Sequence, residues 1–203
     1  MGLVRERARQ FAGALLALAA SAPVAIAAAD WSSTDLDRLR RGEAVVRIVD
    51  THGPGGRLRA AIDIPRPPST VWKVMLDCAR APAYVPGLKS CRVLETAPDG
   101  ASDVREHKMS WIAILPSLTV RFRSEYTAER EIRVHRVSGD LAVMDGQWRL
   151  EPLADGRATR LHYDFRIVPQ APVPAGLIRA GLVRDTPRVL EAVRAEAARV
   201  APM

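Results

Sequence analysis

The sequence contains only two cysteines among its 203 residues. Two thiols are too few for a disulfide-rich scaffold or for a zinc site built from four thiolates. No window of about 20–50 residues recurs, which excludes solenoid and propeller architectures. Hydrophobic residues make up 48% and charged residues 26%, a balance typical of a folded globular domain rather than a disordered chain.

The chain also lacks clustered positive charge, although its formal net charge is +7. No run of Lys and Arg is longer than Arg40-Arg41, and the lysines are limited to Lys73, Lys89 and Lys108. Nucleic-acid-binding domains usually concentrate their basic residues in a patch or stripe. We therefore expect no nucleic-acid partner.

One long apolar run is present, and it lies near the start of the sequence. Three arginines precede the run, which extends from Phe11 to Ala29. A basic start, an apolar stretch and small-x-small sites ending at Ala27 and Ala29 are typical of a cleaved secretory signal. The alternative is an uncleaved membrane anchor, because the run approaches the roughly 20 residues that span a bilayer. We predict a signal peptide over residues 1–29, a domain over residues 30–203, and a periplasmic or secreted location.

Hydrophobic periodicity predicts an α+β domain with eight strands and a long last helix. Strands with one apolar and one polar face indicate an antiparallel sheet, whose apolar face the last helix covers. Asp185-Thr186-Pro187 inside that helix predicts a kink or two abutting helices. The predicted elements are a helix over Asp30–Arg41, strands over Glu43–Asp50 and Arg57–Ile64, a helix capped by Ser69 and ending near Cys78, a loop or broken helix over Ala79–Ser90, strands over Lys89–Thr96, Val104–Leu115, Leu118–Glu129, Glu131–Val137, Ala142–Pro152 and Ala158–Val168, and a helix over Ala175–Val200.

Three groups of segments follow one another in the order found in a known family. They are Ile64–Asp77 with Ala83–Lys89 and Arg92–Glu95, then Gly139–Leu141 with Asp145–Leu153, and finally Pro174–Ala198. In these segments the sequence resembles the polyketide cyclase/dehydrase and coenzyme Q-binding START-like family of the SRPBCC (Bet v 1-like) superfamily. The resemblance implies a helix-grip fold, in which a curved antiparallel sheet wraps around a long kinked C-terminal helix. It also implies an apolar cavity for a lipid, quinone, sterol or polyketide, in a family of which only some members are enzymes.

Large side chains on the predicted inward faces are the candidates for lining such a cavity. A filled core has the same sequence pattern as a cavity, so plain core packing remains the alternative for each of them. We expect a hydrophobic small-molecule ligand and neither a cofactor nor a metal. The candidates are Trp111, Val120, Phe122, Tyr126, Met144, Trp148, Tyr163, Phe165, Leu177 and Leu182.

His107 is the one histidine considered for catalysis. It shares one face of a predicted strand with Arg105 and Met109, and it enters the cavity only if that face points inward. An inward His107 is a candidate general base, but we expect it to be exposed to solvent. The sequence contains no metal-ligand spacing of histidines, no nucleophile elbow and no phosphate-binding glycine loop. It therefore favours a periplasmic carrier of a lipid- or quinone-like compound, with a cyclase or dehydratase of a polyketide-like substrate as the alternative.

Cys78 ends a predicted helix and Cys91 opens the next strand. An oxidising compartment favours a disulfide between them, and closing this short loop stabilises a fold by roughly 3 kcal/mol in the chain-entropy model. Two buried thiols are the alternative.

Several arginines are predicted to share the polar face of the sheet. A solvated face is the simplest interpretation, and transient contact with an anionic membrane surface is the functional alternative. These residues are Arg57, Arg59, Arg121, Arg123, Arg133, Arg160 and Arg166.

Overall fold

The computed structural model of this protein describes residues 31–50, 53–110 and 117–200. The predicted signal segment, residues 1–29, lies outside these ranges. The described residues form four helices and eight strands. In chain order these are α1 (Ser33–Arg40), β1 (Val45–Asp50), β2 (Gly56–Ile64), α2 (Pro68–Leu76), α3 (Ala81–Tyr84), β3 (Leu88–Thr96), β4 (Ser102–Met109), β5 (Leu118–Thr127), β6 (Glu131–Gly139), β7 (Leu141–Leu153), β8 (Ala158–Pro169) and α4 (Ala175–Arg199).

All eight strands pair in one antiparallel sheet with the order β1-β2-β8-β7-β6-β5-β4-β3. After β2 the chain crosses to the opposite edge through α2 and α3, and then returns strand by strand until β8 pairs with β2. On this route α2 contacts β7 and β8, so the crossing runs over the inner face of the sheet. The predicted α+β architecture is confirmed.

Helix α4 covers the inner face by packing against β1, β2 and α2. Its buried residues include Ile178, Leu182, Leu190 and Val193, at the spacing of one helical face. Pro187 lies inside α4, and the helix extends on both sides of it as one element rather than as two abutting helices.

The helix starts show how local sequence sets the element boundaries. Ser32 caps α1 through a capping box, in which its hydroxyl accepts from the Asp35 amide and the Asp35 carboxylate accepts from the Ser32 amide. The prediction that Ser69 caps α2 is wrong. Helix α2 begins at Pro68, with Pro67 as the cap residue, two residues earlier than a Ser69 cap implies. A proline at the first helical position has the φ angle of a helix and needs no amide partner.

The apolar core lies between the sheet and the helices. Ile62, Leu161 and Leu190 are fully buried where β2, β8 and α4 meet. On the opposite face of the sheet, α1 buries Leu39 against Val45. The core therefore fixes one end of α4 on β2 and β8. The inner side of β4 to β7 faces the candidate site.

The polar face of the sheet carries the predicted arginines, and most of those seven are paired with carboxylates. Arg57 and Arg59 both bind Asp164, with nitrogen–oxygen distances of 3.0 Å. Arg160 donates to Asp63 through two nitrogens, at 2.7 and 2.9 Å. Arg121 pairs with Glu106 and Arg133 pairs with Glu131. These pairs neutralise much of the charge of the face and agree with a solvated surface.

Candidate functional site

The inner face of the sheet, α4 and the chain from α2 to β3 surround a cavity of about 220 Å³. Apolar and aromatic side chains form most of its wall, and few polar groups reach it. A wall of this kind suits a hydrophobic molecule, because binding removes apolar surface from water. Seven of the ten predicted cavity residues line it: Phe122, Tyr126, Met144, Trp148, Tyr163, Phe165 and Leu182.

Two other predicted cavity residues, Val120 and Leu177, do not line this wall. Val120 is 1% exposed and packs into the core cluster that contains Leu58, so the cavity does not reach it. Leu177 is 50% exposed. The next residue, Ile178, takes the inward position, because successive helical residues are about 100° apart around the axis. Trp111 lies outside the described residues.

An aromatic cluster on β7 and β8 forms one wall of the cavity. The Tyr163 ring stacks on Phe165 with centroids 4.4 Å apart, and Trp148 meets Tyr163 edge-on at 4.7 Å. Gly146 makes this packing feasible, since a Cβ there would lie 2.6 Å from the Phe165 ring. The Gly146-Gln147-Trp148 segment, noted above as part of a family motif, therefore shapes the cavity wall.

A cover segment, defined here as residues 79–90, closes another side of the cavity. Its residues Tyr84 and Leu88 line the wall. The Tyr84 hydroxyl donates a 2.9 Å hydrogen bond to the Val74 carbonyl, and burial raises the pKa of Tyr84 to about 12, so the donor stays protonated. Arg80 forms an ion pair with the buried Glu196 of α4. These contacts hold the cover segment against α2 and α4.

Cys78 and Cys91 flank the cover segment and form a disulfide in the structure, with Cα atoms 5.3 Å apart. Cys91 also lines the cavity. The bond joins the residues on either side of the cover segment, so it limits how far the segment can move away from the sheet.

Arg105 is a buried cation in the cavity wall that sequence reasoning did not select. It is 8% exposed, and its Nε donates to both oxygens of the buried Asp103, at 2.9 and 3.1 Å. Its two terminal nitrogens lie 3.5 and 3.3 Å from the carbonyl oxygens of Met75 and Leu76. Both carbonyls lie in the last turn of α2, so Arg105 fastens that helix end to β4. An arginine on the same strand face as Met109 was the available signal.

His107 also faces the cavity, so the expectation that it is exposed to solvent is wrong. It pairs in register with Val120, which places it on the inward face of β4. Its ring meets the Phe122 ring edge-on at 4.7 Å. Burial, and secondly the positive charge of Arg105, lower its pKa from 6.5 to about 4, so the imidazole is neutral at pH 7.

We predict that His107 makes the domain less stable in weak acid. The unfolded chain binds a proton at this residue near pH 6.5, whereas the folded chain does so only near pH 4. Stability is therefore fully present above pH 6.5 and falls as the pH decreases toward 4, by roughly 2–3 kcal/mol. Urea unfolding of wild type and His107→Gln at pH 7 and pH 4.5 measures this.

The variant should lose clearly less stability than wild type between the two pH values. Burial also lowers the pKa of His162, but that residue is present in both proteins and cancels in the comparison. Parallel pH profiles for the two proteins would contradict the prediction.

The ionisable side chains of the described cavity wall include Arg105, His107 and Asp185. Within residues 31–50, 53–110 and 117–200, no cluster of three His, Cys, Asp or Glu could hold a metal ion. Asp185 of α4, a carboxylate in the cavity wall, forms ion pairs with Arg184 at 2.8 Å and with Arg188 at 3.4 Å. Among the same residues, no helix is long and apolar enough to span a membrane.

Comparisons with known proteins agree with this architecture. The family model described as polyketide cyclase/dehydrase and lipid transport matches residues 64–194. No curated protein sequence matches the chain. Among solved structures, an aromatase/cyclase from Streptomyces sp. R1128 is 18% identical, covers 76% of this chain and 95% of its own, and has a TM-score of 0.62.

Two further solved structures are similar as well. A STAR-related lipid transfer protein from Xanthomonas axonopodis is 21% identical over 77% of this chain and 94% of its own, with a TM-score of 0.65. Human STARD10 is 10% identical over 78% of this chain and 71% of its own, also with a TM-score of 0.65. At these identities the likeness establishes the helix-grip fold.

Proposed function

Because the chain belongs to the polyketide cyclase/dehydrase and lipid transport family, we propose that it binds and carries a hydrophobic small molecule in the cavity between the sheet and α4. The observation that carries this proposal is the apolar, aromatic wall of that cavity. Each Å² of apolar surface that the ligand removes from water contributes about 25 cal/mol. For comparison, an engineered apolar cavity of about 150 Å³ in another protein already binds benzene.

The ligand enters by movement of the cover segment. Residues 88–90 of the segment are held in β3 by pairing with β4. Residues 79–87 are held by the Tyr84 hydrogen bond, the Arg80–Glu196 ion pair, the hydrogen bond that the Ser110 amide donates to the Gly87 carbonyl, and the flanking disulfide. Arg80 is mostly exposed in its ion pair, which makes that contact a weak restraint. Opening of the segment between fixed ends would expose the cavity without disturbing the sheet.

Filling the cavity tests the proposal. Val134 on β6 is buried and lines the cavity, whereas Val137 on the same strand is half exposed. Val134→Phe should weaken binding of the uncharged fluorescent probe N-phenyl-1-naphthylamine at least tenfold, because the added ring occupies the space of the probe. Val137→Phe makes the same change outside the cavity and should bind the probe like wild type.

Fluorescence titration of the three proteins gives the affinities, and circular dichroism confirms that each is folded. Equal affinities for wild type and a folded Val134→Phe protein would place the probe elsewhere and contradict the carrier function.

The enzymatic alternative, a cyclase or dehydratase, requires an acid and a base at the substrate. His107 is the cavity histidine, and no described carboxylate hydrogen-bonds to it. The carrier function is therefore the one the site supports best.

We also propose that the carrier works outside the cytoplasm and touches anionic membranes transiently. The basic and apolar pattern of residues 1–29 supports the location. The membrane contact is supported by arginines of the polar sheet face whose side chains stay about half exposed beside their carboxylate partners, such as Arg57, Arg59 and Arg121. Protein recovered from the periplasm of a bacterial host should begin after Ala27 or Ala29, as read by amino-terminal sequencing. The mature protein should sediment with phosphatidylglycerol vesicles at low salt and be released at high salt. An intact amino terminus, or sedimentation that salt does not change, would refute the respective part.

A further inference from the structure

The cavity wall contains buried polar side-chain atoms that lack a hydrogen-bond partner among the described residues. Among the described residues, the buried side-chain atoms that lack a hydrogen-bond partner are the indole nitrogen of Trp31, Nε of Arg66, Nε2 of His107 and the hydroxyl of Tyr126. Two of them, on His107 and Tyr126, belong to residues that line the cavity. Buried polar atoms are nearly always paired, so an unpaired one in a ligand cavity points to a group that the ligand supplies.

The two cavity atoms differ in their surroundings. The Tyr126 hydroxyl lies close enough to Asp103 and Ser124 for both to affect its pKa, so a small rotation gives it a protein partner. Among the described residues, Arg105 is the charged group that shifts the pKa of His107, and a guanidinium cannot accept a hydrogen bond. His107 therefore needs a partner from outside the protein more than Tyr126 does.

The chemistry of that partner follows from the charges around it. A neutral imidazole has one donor and one acceptor nitrogen, and a hydroxyl can complement Nε2 in either tautomer. A cationic group would lose its hydration in this apolar cavity, where the lining carboxylate of Asp185 already pairs with Arg184 and Arg188. Anionic groups gain little from Arg105, because Asp103 already neutralises it, and they would lose their hydration in an apolar cavity.

On the basis of the proposed carrier function, we infer that the ligand is an uncharged, mainly apolar molecule bearing a hydroxyl that hydrogen-bonds to Nε2 of His107. The rest of the ligand lies against the apolar wall, beginning with the Phe122 ring that packs on the imidazole. This subsite gives the cavity a preferred ligand orientation as well as a preferred ligand class. It discriminates an alcohol or phenol from a hydrocarbon of the same shape, since the hydrocarbon leaves Nε2 unpaired.

The test compares 2-naphthol with 2-methylnaphthalene, which differ by a hydroxyl in place of a methyl group. Each competes with N-phenyl-1-naphthylamine for the purified full-length protein at pH 7, where the hydroxyl is neutral. Wild type should prefer 2-naphthol about tenfold, after correction for the partition of each compound from water into hexadecane. His107→Phe should lose this preference and still bind 2-methylnaphthalene. His107→Gln retains an amide near the position of Nε2 and should keep most of the preference.

A matched control changes a histidine outside the cavity. His135 is exposed on the polar face of the sheet, so His135→Phe should behave like wild type. If wild type binds the fluorescent probe but shows equal corrected affinities for the two naphthalenes, the hydroxyl subsite is refuted while the carrier function stands. If wild type does not bind the fluorescent probe, the carrier function itself fails. A folded His107→Phe protein that keeps the preference would also refute the role of His107.

Discussion

Replacement of Arg105 by methionine is expected to destabilise the domain by about 3–5 kcal/mol. Asp103 and Arg105 are 6% and 8% exposed, so the substitution leaves a buried carboxylate without its counter-ion. It also removes the donors that lie 3.5 and 3.3 Å from the carbonyl oxygens of Met75 and Leu76 at the end of α2. The free energy of unfolding in urea measures the loss.

A double variant separates charge from packing. Asp103→Asn combined with Arg105→Met removes both charges and should recover about 1–2 kcal/mol of the loss, because no uncompensated charge remains. Arg133→Met is the matched control: Arg133 pairs with Glu131 at the surface, where an ion pair contributes at most about 1 kcal/mol. If the double variant is no more stable than Arg105→Met alone, then Arg105 acts through packing rather than through its charge.

Removal of the disulfide should be the other large effect. Cys78→Ala with Cys91→Ala is expected to lower the free energy of unfolding by roughly 3 kcal/mol, because the open chain gains conformational freedom when it unfolds. The same substitutions release the cover segment between the two positions. We therefore also expect N-phenyl-1-naphthylamine to bind faster in stopped-flow measurements.

Reduction of the wild-type protein provides the control for this prediction. Urea unfolding with dithiothreitol should lower the stability of wild type to that of the double variant and leave the double variant unchanged. Alkylation of the unfolded, unreduced wild-type protein followed by mass spectrometry counts the free thiols. Two alkylated thiols, or identical unfolding of all samples without reductant, would show that the bond does not contribute in solution.

The candidate site was partly visible in the sequence, and the errors have physical causes. Large apolar side chains at period two mark the covered face of a sheet, and this pattern predicts the inward positions of Phe122, Tyr163 and Phe165. Leu177 was selected from an apolar stripe that is wider than the buried face of α4, and it lies at the edge of that stripe. Val120 faces inward but is covered by its neighbours, and no periodicity distinguishes a wall residue from a packed one.

Arg105 and His107 were the residues that sequence reasoning undervalued. Both share a face of β4 with Met109, while Glu106 and Lys108 lie on the other face, so the pattern left open which face of that strand was covered. Charged and polar residues on strands are usually exposed to solvent. Here Asp103, Arg105 and His107 instead face inward, because they pair with inward residues of β5. That pairing depends on contacts between segments distant in sequence.

The sequence by itself determined the class of the fold, the order of its helices and strands and the use of α4 as a cover. These features follow from local periodicity and from the need of each apolar face to be buried. Only the tertiary structure decided that a cavity remains inside, that Arg105 joins α2 to β4, and that His107 presents an unpaired nitrogen to that cavity. Such features depend on how side chains from six strands, β3 to β8, and from helices α2, α3 and α4 fill one volume. Local sequence patterns do not encode how completely that volume is filled.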